Sequence, residues 1–489
     1  MQSILEEANK LCQEIYGQTY HEVYGFDQID EEEIRQHIII MKRKSKFINR
    51  DKIYNDGKSN FFTIWREYWS SMVVDQPIVC ELYALCALSQ LLKHINVIKA
   101  GGKEDDIRIH ICTIMPSGTG KSEANDVLAT FARQVGLVYS TVDRYNDASL
   151  VGSINKQAVE NNGRHGYSPG MPGWMDPDEK GILRKSDFVV FDEGENILKT
   201  SQFTEGAQRY LQKAMNRMGS EGNFITNTLV GFTVGGYPDC SCIITSYYLD
   251  EFQDTLLDRG LLQRMIVYIQ DESYDTRTNI INSIIDGIPT FDKDPKETVP
   301  YVEGLLNAKM DRIQRLRDEA IKIKKFHAGT KTVAIRYTAK SSLREGITQL
   351  RELMPMMIGQ KQIWESMITR MTINMLKVAA IHALSNYRTY IDEPDIEYAA
   401  SLMMQTMKSM GFFLREKVTT DIDKKTMQIY NSLRRKFIGI KNTSMEWENA
   451  IIENMNLSPN RAKQIVSTLI ENGKLEEISN KGQKAYIIK

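Results

Sequence analysis

The apolar positions of this chain fall into two kinds of run, and their alternation predicts an α/β core flanked by helices. Short strand-like runs rich in apolar residues occur at Ile107–Met115, Leu137–Val142, Asp187–Phe191, Cys242–Ser246 and Met265–Ile269. Runs of this length, rich in Ile, Val and Phe, read as strands buried on both faces, as in a parallel sheet covered by helices. Most intervals between them carry apolar residues at helical spacing, which completes a five-stranded parallel α/β pattern. The interval 143–186 is rich in Gly, Pro and Asp and reads as an insertion on that core.

On either side of the core the period is helical. Residues 1–105 read as a helical N-terminal region with a polar turn at Asn55–Asn60. Beyond the last strand, Leu305–Lys325 has the spacing of a solvated amphipathic helix, and Ile363–Tyr387 and Asp392–Leu414 read as stronger helices whose Met and Ala stripes suit a core. Lys424–Phe437, Ser444–Asn456 and Pro459–Asn472 read as three short helices, with Pro459 tolerated in a first turn. Strands Lys474–Ile478 and Ala485–Ile488 follow, joined at Asn480-Lys481-Gly482. Three helices and a hairpin predict a winged helix. The expected divisions are therefore 1–105, a core over 106–275, a helical lid over 276–420 and the winged helix over 421–489.

Composition narrows this picture. With 42% hydrophobic and 26% charged residues and a formal net charge of −1, the chain is an ordinary globular protein and not a uniformly basic nucleic-acid binder. Any nucleic-acid contact must come from local patches. Arg461 and Lys463 on the third short helix, with Lys481 and Lys484 on the wing, are one such set, although a winged helix also serves protein contacts. The 6 cysteines show no paired CxxC spacing, so a reduced protein without zinc is expected. The acidic start lacks the pattern of a signal peptide, and the longest apolar stretch, Val74 to Ala100, carries Asp75, Glu81, Lys93 and Lys99. A cytoplasmic protein with no membrane span is expected.

Two motifs carry the chemistry. Met115-Pro116-Ser117-Gly118-Thr119-Gly120-Lys121-Ser122 lies between an apolar strand and the helical segment Glu123–Val135. In such a loop, backbone N–H groups converge on the phosphates of a nucleotide, and glycines stand where a side chain would block the approach. Lys121 adds a cation for the phosphates and Ser122 a hydroxyl for Mg²⁺. The usual first glycine is replaced by Met115. The second motif, Phe188-Val189-Val190-Phe191-Asp192-Glu193, is an apolar strand ending in two carboxylates. Asp192 is suited to the Mg²⁺ shell and Glu193 to polarising an attacking water. ATP with Mg²⁺ is the expected cofactor pair, held by Pro116 through Glu123 with Asp192.

The order of these elements resembles the AAA+ ring helicases of the minichromosome maintenance and superfamily 3 group, including phage and mobile-element replicative helicases. Tyr210–Met215 followed by Asn223–Gly236 is similar to their helix and hairpin. Ala148–Gly152, with the run to Leu183, is similar to their insert. Leu261–Met265 resembles their finger segment, and Thr369–Met371, Ala379–Ala383 and Pro394–Ala400 their lid. The likeness covers roughly residues 107–410. It implies a sensor at Ser246 or Thr245, a finger acting in trans on a neighbour's γ-phosphate at Arg264 or Arg259, and a second sensor at Arg370. It further implies a homo-oligomer, a hexamer in this family, working on single-stranded or forked DNA beside a separate primase or polymerase. Translocation would be driven by the hairpin, where backbone groups, Asn227, Thr228 or Phe232 would stand in for the basic residue that grips DNA phosphate in the family. Here the chain departs from the family, because Leu229–Gly235 contains no lysine or arginine. A replication initiator or loader using ATP as a switch is the nearer alternative. A protein-remodelling ATPase is the other, and the aromatic-hydrophobic-Gly pore loop it needs does not follow the second strand.

Overall fold

The computed structural model describes residues 2–16, 60–73, 76–99, 102–116, 118–142, 145–153, 179–198, 202–229, 232–247, 260–270, 298–357, 361–410, 441–455, 459–471, 475–480 and 483–488, with Thr19, Tyr20, Ile34, Arg35, Ile38 and Met41. Residues 1–411 form one compact unit and residues 412–489 a second. The divisions expected at 105 and 275 do not appear as breaks between compact units.

The centre of the first unit is a five-stranded sheet of β1 (Ile111–Ile114), β2 (Tyr139–Thr141), β3 (Phe188–Phe191), β4 (Ser241–Ser246) and β5 (Ile266–Ile269). All its pairings are parallel, and the order across it is β5-β1-β4-β3-β2. Every residue of β1, β3 and β4 is buried, as a doubly covered sheet requires, whereas β2 at the edge is half-exposed. Helix α1 (Gln2–Tyr16) opens the chain, followed by α2 (Asn60–Trp69), α3 (Pro77–Leu91) and, after β1, α4 (Lys121–Val135). Helix α3 is apolar all round and buried from Val79 to Leu91, packing on β1, β5, α2 and α4. It is a core element of the same compact unit as the sheet.

A small second sheet ties the N-terminal region to the helices beyond the core. Asn96–Ile98 pairs antiparallel with Glu104–Asp106 and parallel with Thr332–Ile335, which pairs in turn with Tyr390–Ile391. Beyond β5 come α6 (Thr298–Phe326), α7 (Tyr337–Met357), α8 (Lys361–Ser385) and a helix over 393–410, while α5 (Gln202–Ala214) is inserted between β3 and β4. Buried Phe61, Trp65 and Phe131 stack α2 on α4, while Phe62, His382 and Tyr398 stack α2 on α8 and the helix over 393–410.

The strand expected over Ile107–Met115 is ladder-paired only from Ile111, and a buried ion pair explains the difference. Arg108, with no exposed side-chain surface, donates from Nε to Asp106 Oδ1 at 2.9 Å and from Nη2 to Asp106 Oδ2 at 3.1 Å. Its remaining donors reach the carbonyls of Cys240, Ala214 and Asn216 at 3.0, 3.4 and 2.9 Å. Arg108 N also donates to Asp106 Oδ1 at 3.1 Å, which turns the chain before the ladder starts. Burial alone would raise the Asp106 carboxyl, but Arg108 and Lys377 outweigh it and hold Asp106 far below the usual carboxylate range. Asp106→Ala leaves a buried guanidinium unpaired and is expected to cost about 3–5 kcal/mol, read as a lower urea midpoint at pH 7. The folded-state pKa of Asp106 is depressed, so its contribution is present above its unfolded pKa of about 3.9 and is lost as pH falls below that.

The second unit contains α9 (Ser444–Met455), α10 (Pro459–Glu471) and an antiparallel sheet ordered Lys441–Asn442, Gln483–Ile488, Leu475–Asn480. Trp447, Ile451, Ala462, Ile465, Val466, Leu469 and Leu475 form its core. Thr443 and Glu446 cap α9 reciprocally, with Thr443 N donating to Glu446 Oε2 at 2.6 Å and Glu446 N to Thr443 Oγ1 at 3.3 Å. The strand at Lys441–Asn442 is an element the sequence pattern did not announce. The expected helix Lys424–Phe437 and the wing tip lie outside the described residues. No described helix is long and apolar enough to cross a membrane, and all six cysteines are buried.

Candidate functional site

The glycine-bearing loop leaves the C-terminal end of β1 and enters α4 at Lys121. Met115 is buried at the strand end, and its N–H donates to Ser246 O at 2.9 Å, fastening β1 to β4 where the loop begins. The glycine usual at this point is therefore replaced by a side chain that the core absorbs. Gly118 and Gly120 adopt φ +77° and +85°, the left-handed region that glycine enters without strain. Thr119 Oγ1 donates to Pro116 O at 2.7 Å, and Thr119 O accepts from Gln76 Nε2 at the start of α3. Ser122 and Glu123 lie exposed on the first turn of α4, where helix N–H groups are free to meet an anion. Ser117 lies outside the described residues.

The neighbouring strands bring carboxylates to the same end of the sheet. Asp192 Oδ1 accepts from Thr245 Oγ1 at 2.7 Å and from Glu193 N at 3.2 Å. Glu193 is exposed, with φ +53°, a conformation unusual for a side-chain-bearing residue. Gly194 follows, and its N–H donates to Thr245 O at 2.7 Å. A Cβ there would stand 2.5 Å from Ile244 Cγ2, so only glycine lets the turn lie this close to β4. Ser246 is buried and donates to Tyr247 O at 3.1 Å and, more weakly, to Glu195 Oε1 at 3.5 Å. Of the two sensor candidates, then, Thr245 touches Asp192 and Ser246 touches Glu195.

Lys121 reaches into this group. Its Nζ donates to Met115 O at 3.3 Å and lies 3.1 Å from the centroid of the Tyr247 ring. Burial pushes the ammonium down to about 8, against the opposing pull of Glu195, Asp192 and Glu193. One cation, one hydroxyl at Ser122 and three carboxylates thus share the end of β1, β3 and β4. This donor set suits a phosphate chain with a hard divalent cation: Lys121 for phosphate oxygens, Ser122 and Asp192 for Mg²⁺.

Arg264 and Arg370 are not brought to this end. Ile266, which follows the turn Leu262–Arg264, is level with Ile111, whereas the loop leaves β1 after Ile114. The three steps from Ile111 to Ile114 put roughly 10 Å of strand between the two ends. The two arginines instead line one cleft of about 310 Å³ together with Lys99, Arg217, Asn216 and Lys377. Arg264 donates from Nε to Asn216 Oδ1 at 3.2 Å and from Nη1 to Gly260 O at 2.6 Å. Burial and the adjacent Arg370 push its guanidinium down to about 10. The lining carboxylate, Asp105, is held by Lys99 at 2.8 Å, with Lys377 at 3.8 Å, so the cleft keeps an excess of positive charge. Arg259 lies outside the described residues.

The hairpin expected after α5 is present, with Ile225–Leu229 paired antiparallel to Phe232–Gly236. Asn227 lies opposite Val234, its side-chain nitrogen buried without a partner among the described residues, and Phe232 lies opposite Leu229. In the second unit Lys463 is exposed on α10, Arg461 is on the same helix, and Lys484 pairs with Ser479 across the hairpin. Lys481 lies outside the described residues.

Sequence reasoning missed Gln76, Glu195, Tyr247 and the cationic companions of Arg264. Glu195 had a local signal, a third carboxylate in Asp192-Glu193-Gly194-Glu195. The others are recruited from distant segments and had none. Compared with known proteins, the sequence matches no family model and no curated relative.

Proposed function

We propose that the chain is a Mg²⁺-dependent ATPase of the AAA+ kind that works as a homo-oligomeric ring, a hexamer by resemblance, and translocates on DNA as a helicase. One observation carries this reading: Lys121, Ser122, Asp192 and Glu193 converge at one end of a β5-β1-β4-β3-β2 sheet, while Arg264 and Arg370 share a cationic cleft at the other. A cleft that cannot reach its own loop is suited to a neighbour's γ-phosphate, where an arginine neutralises charge developing in the transition state. Thr245, bonded to Asp192, is then a better sensor than Ser246 for the Mg²⁺ side of the site. Asp192 and Ser122 would hold the Mg²⁺ and Glu193 would polarise the attacking water, its carboxylate exposed on a turn whose position Gly194 fixes.

DNA as substrate is supported by the hairpin between α5 and β4 and by the second unit, whose two described helices and three-stranded antiparallel sheet suit a winged helix. Lys463, Arg461 and Lys484 would contact phosphates there, while the hairpin, through backbone groups, Asn227 or Phe232, would follow the strand. The nucleotide residues all lie within residues 1–411. Deleting residues 412–489 is therefore expected to leave basal ATP hydrolysis standing and to weaken DNA binding. The log–log salt slope should flatten by about 0.9 for each phosphate that the protein no longer neutralises, measured by DNA-binding titrations at several salt concentrations. Unchanged affinity and slope would make the second unit a protein-contact module.

A further inference from the structure

The ammonium of Lys121 has three N–H donors, and they are engaged on two sides. Met115 O accepts at 3.3 Å, and the face of the Tyr247 ring lies 3.1 Å away, within cation–π range. Donors turned to an aromatic face are not available to phosphate oxygens. The backbone that carries the ring is held in place. Tyr247 N donates to Glu195 Oε1 at 3.1 Å, the same oxygen that Ser246 Oγ approaches at 3.5 Å. Glu195 in turn follows Gly194, whose N–H is fastened to Thr245 O at 2.7 Å and which has no room for a Cβ. The turn after β3 thus braces the segment after β4, and that segment presents a ring to the loop lysine.

We propose that Tyr247, braced by Glu195, is a positioning residue that competes with the phosphates of ATP for the Lys121 ammonium and so sets nucleotide affinity. The proposal rests on the nucleotide reading above. Phosphate oxygens recruit Lys121 only as its ammonium leaves the ring, so the ring opposes binding by the strength of its hold on the cation. Because Glu195 touches both Tyr247 and Ser246, the exchange is reported to β4 through one carboxylate.

The test is the dissociation constant for Mg·ATP, by calorimetry on the full chain. Tyr247→Leu and Tyr247→Asn share only the loss of the aromatic face. Each is expected to bind ATP about threefold to thirtyfold more tightly than wild type, the range that cation–π contacts span. In a Lys121→Ala background the same substitutions are expected to change nothing, because the competed group is gone. Weaker or unchanged binding by both variants overturns the proposal, as does a tightening that persists without Lys121. A wild-type chain that binds no ATP overturns the nucleotide reading itself, and the proposal with it.

Discussion

Glu193→Gln is expected to bind Mg·ATP as the wild type does and to hydrolyse it about 10²- to 10⁴-fold more slowly, the span that general-base catalysis covers. An amide keeps the size and hydrogen-bonding reach of the carboxylate but cannot polarise water. The side chain is exposed on a turn held by Gly194, and no described core packing depends on it, so the loss should fall on turnover and not on folding. Lys121→Ala is the contrasting variant: its loss should appear first in affinity, because on the proposed reading the cation would meet phosphate in the ground state too. The comparison requires ATP binding by calorimetry and single-turnover hydrolysis of the same preparations. Near wild-type turnover in Glu193→Gln would move the water-polarising role elsewhere, with Glu195 the nearest candidate carboxylate.

The second large effect concerns the arginine cleft. Arg264→Ala is expected to reduce hydrolysis by about 10³-fold or more, the scale of arginine fingers, while leaving nucleotide affinity of the isolated chain nearly unchanged. The distance between cleft and loop makes a further demand. If Arg264 serves a neighbouring subunit, mixing Arg264→Ala with Lys121→Ala should recover activity that neither has alone, since some interfaces then pair an intact loop with an intact arginine. Arg370→Ala should behave in the same way, because the two side chains share one cleft and Arg370 already depresses the Arg264 guanidinium. A loss that never recovers on mixing would assign both arginines to structure or to a role within their own subunit.

How much of this was legible in the sequence depends on how local each constraint is. The loop around Lys121 and the carboxylates after Phe191 were readable because backbone geometry fixes the residue type at each position: glycine at φ +77° and +85°, apolar residues along a strand buried on both faces. The five strands were readable for the same reason. Their first boundary was not, because the Asp106–Arg108 pair ends the ladder at Ile111 through contacts to Ala214, Asn216 and Cys240 that no window around residue 108 contains. Helix α3 is apolar all round its axis, and such a surface carries no information about which elements cover it. Arg264 and Arg370 were singled out one at a time, while their meeting in one cleft is made by α8 packing against the turn before β5. Tyr247 had no signal, because its role depends on a ring face that only the folded loop brings over Lys121.

Whether this site converts ATP hydrolysis into movement on DNA is tested most directly by one assay. ATP hydrolysis by the full chain is measured with and without single-stranded DNA, while unwinding of a forked duplex is followed in the same reaction. The expected result is Mg²⁺-dependent hydrolysis that single-stranded DNA accelerates, strand separation that requires it, and loss of both in Lys121→Ala. Hydrolysis no greater than that of Lys121→Ala, with or without DNA, would contradict it.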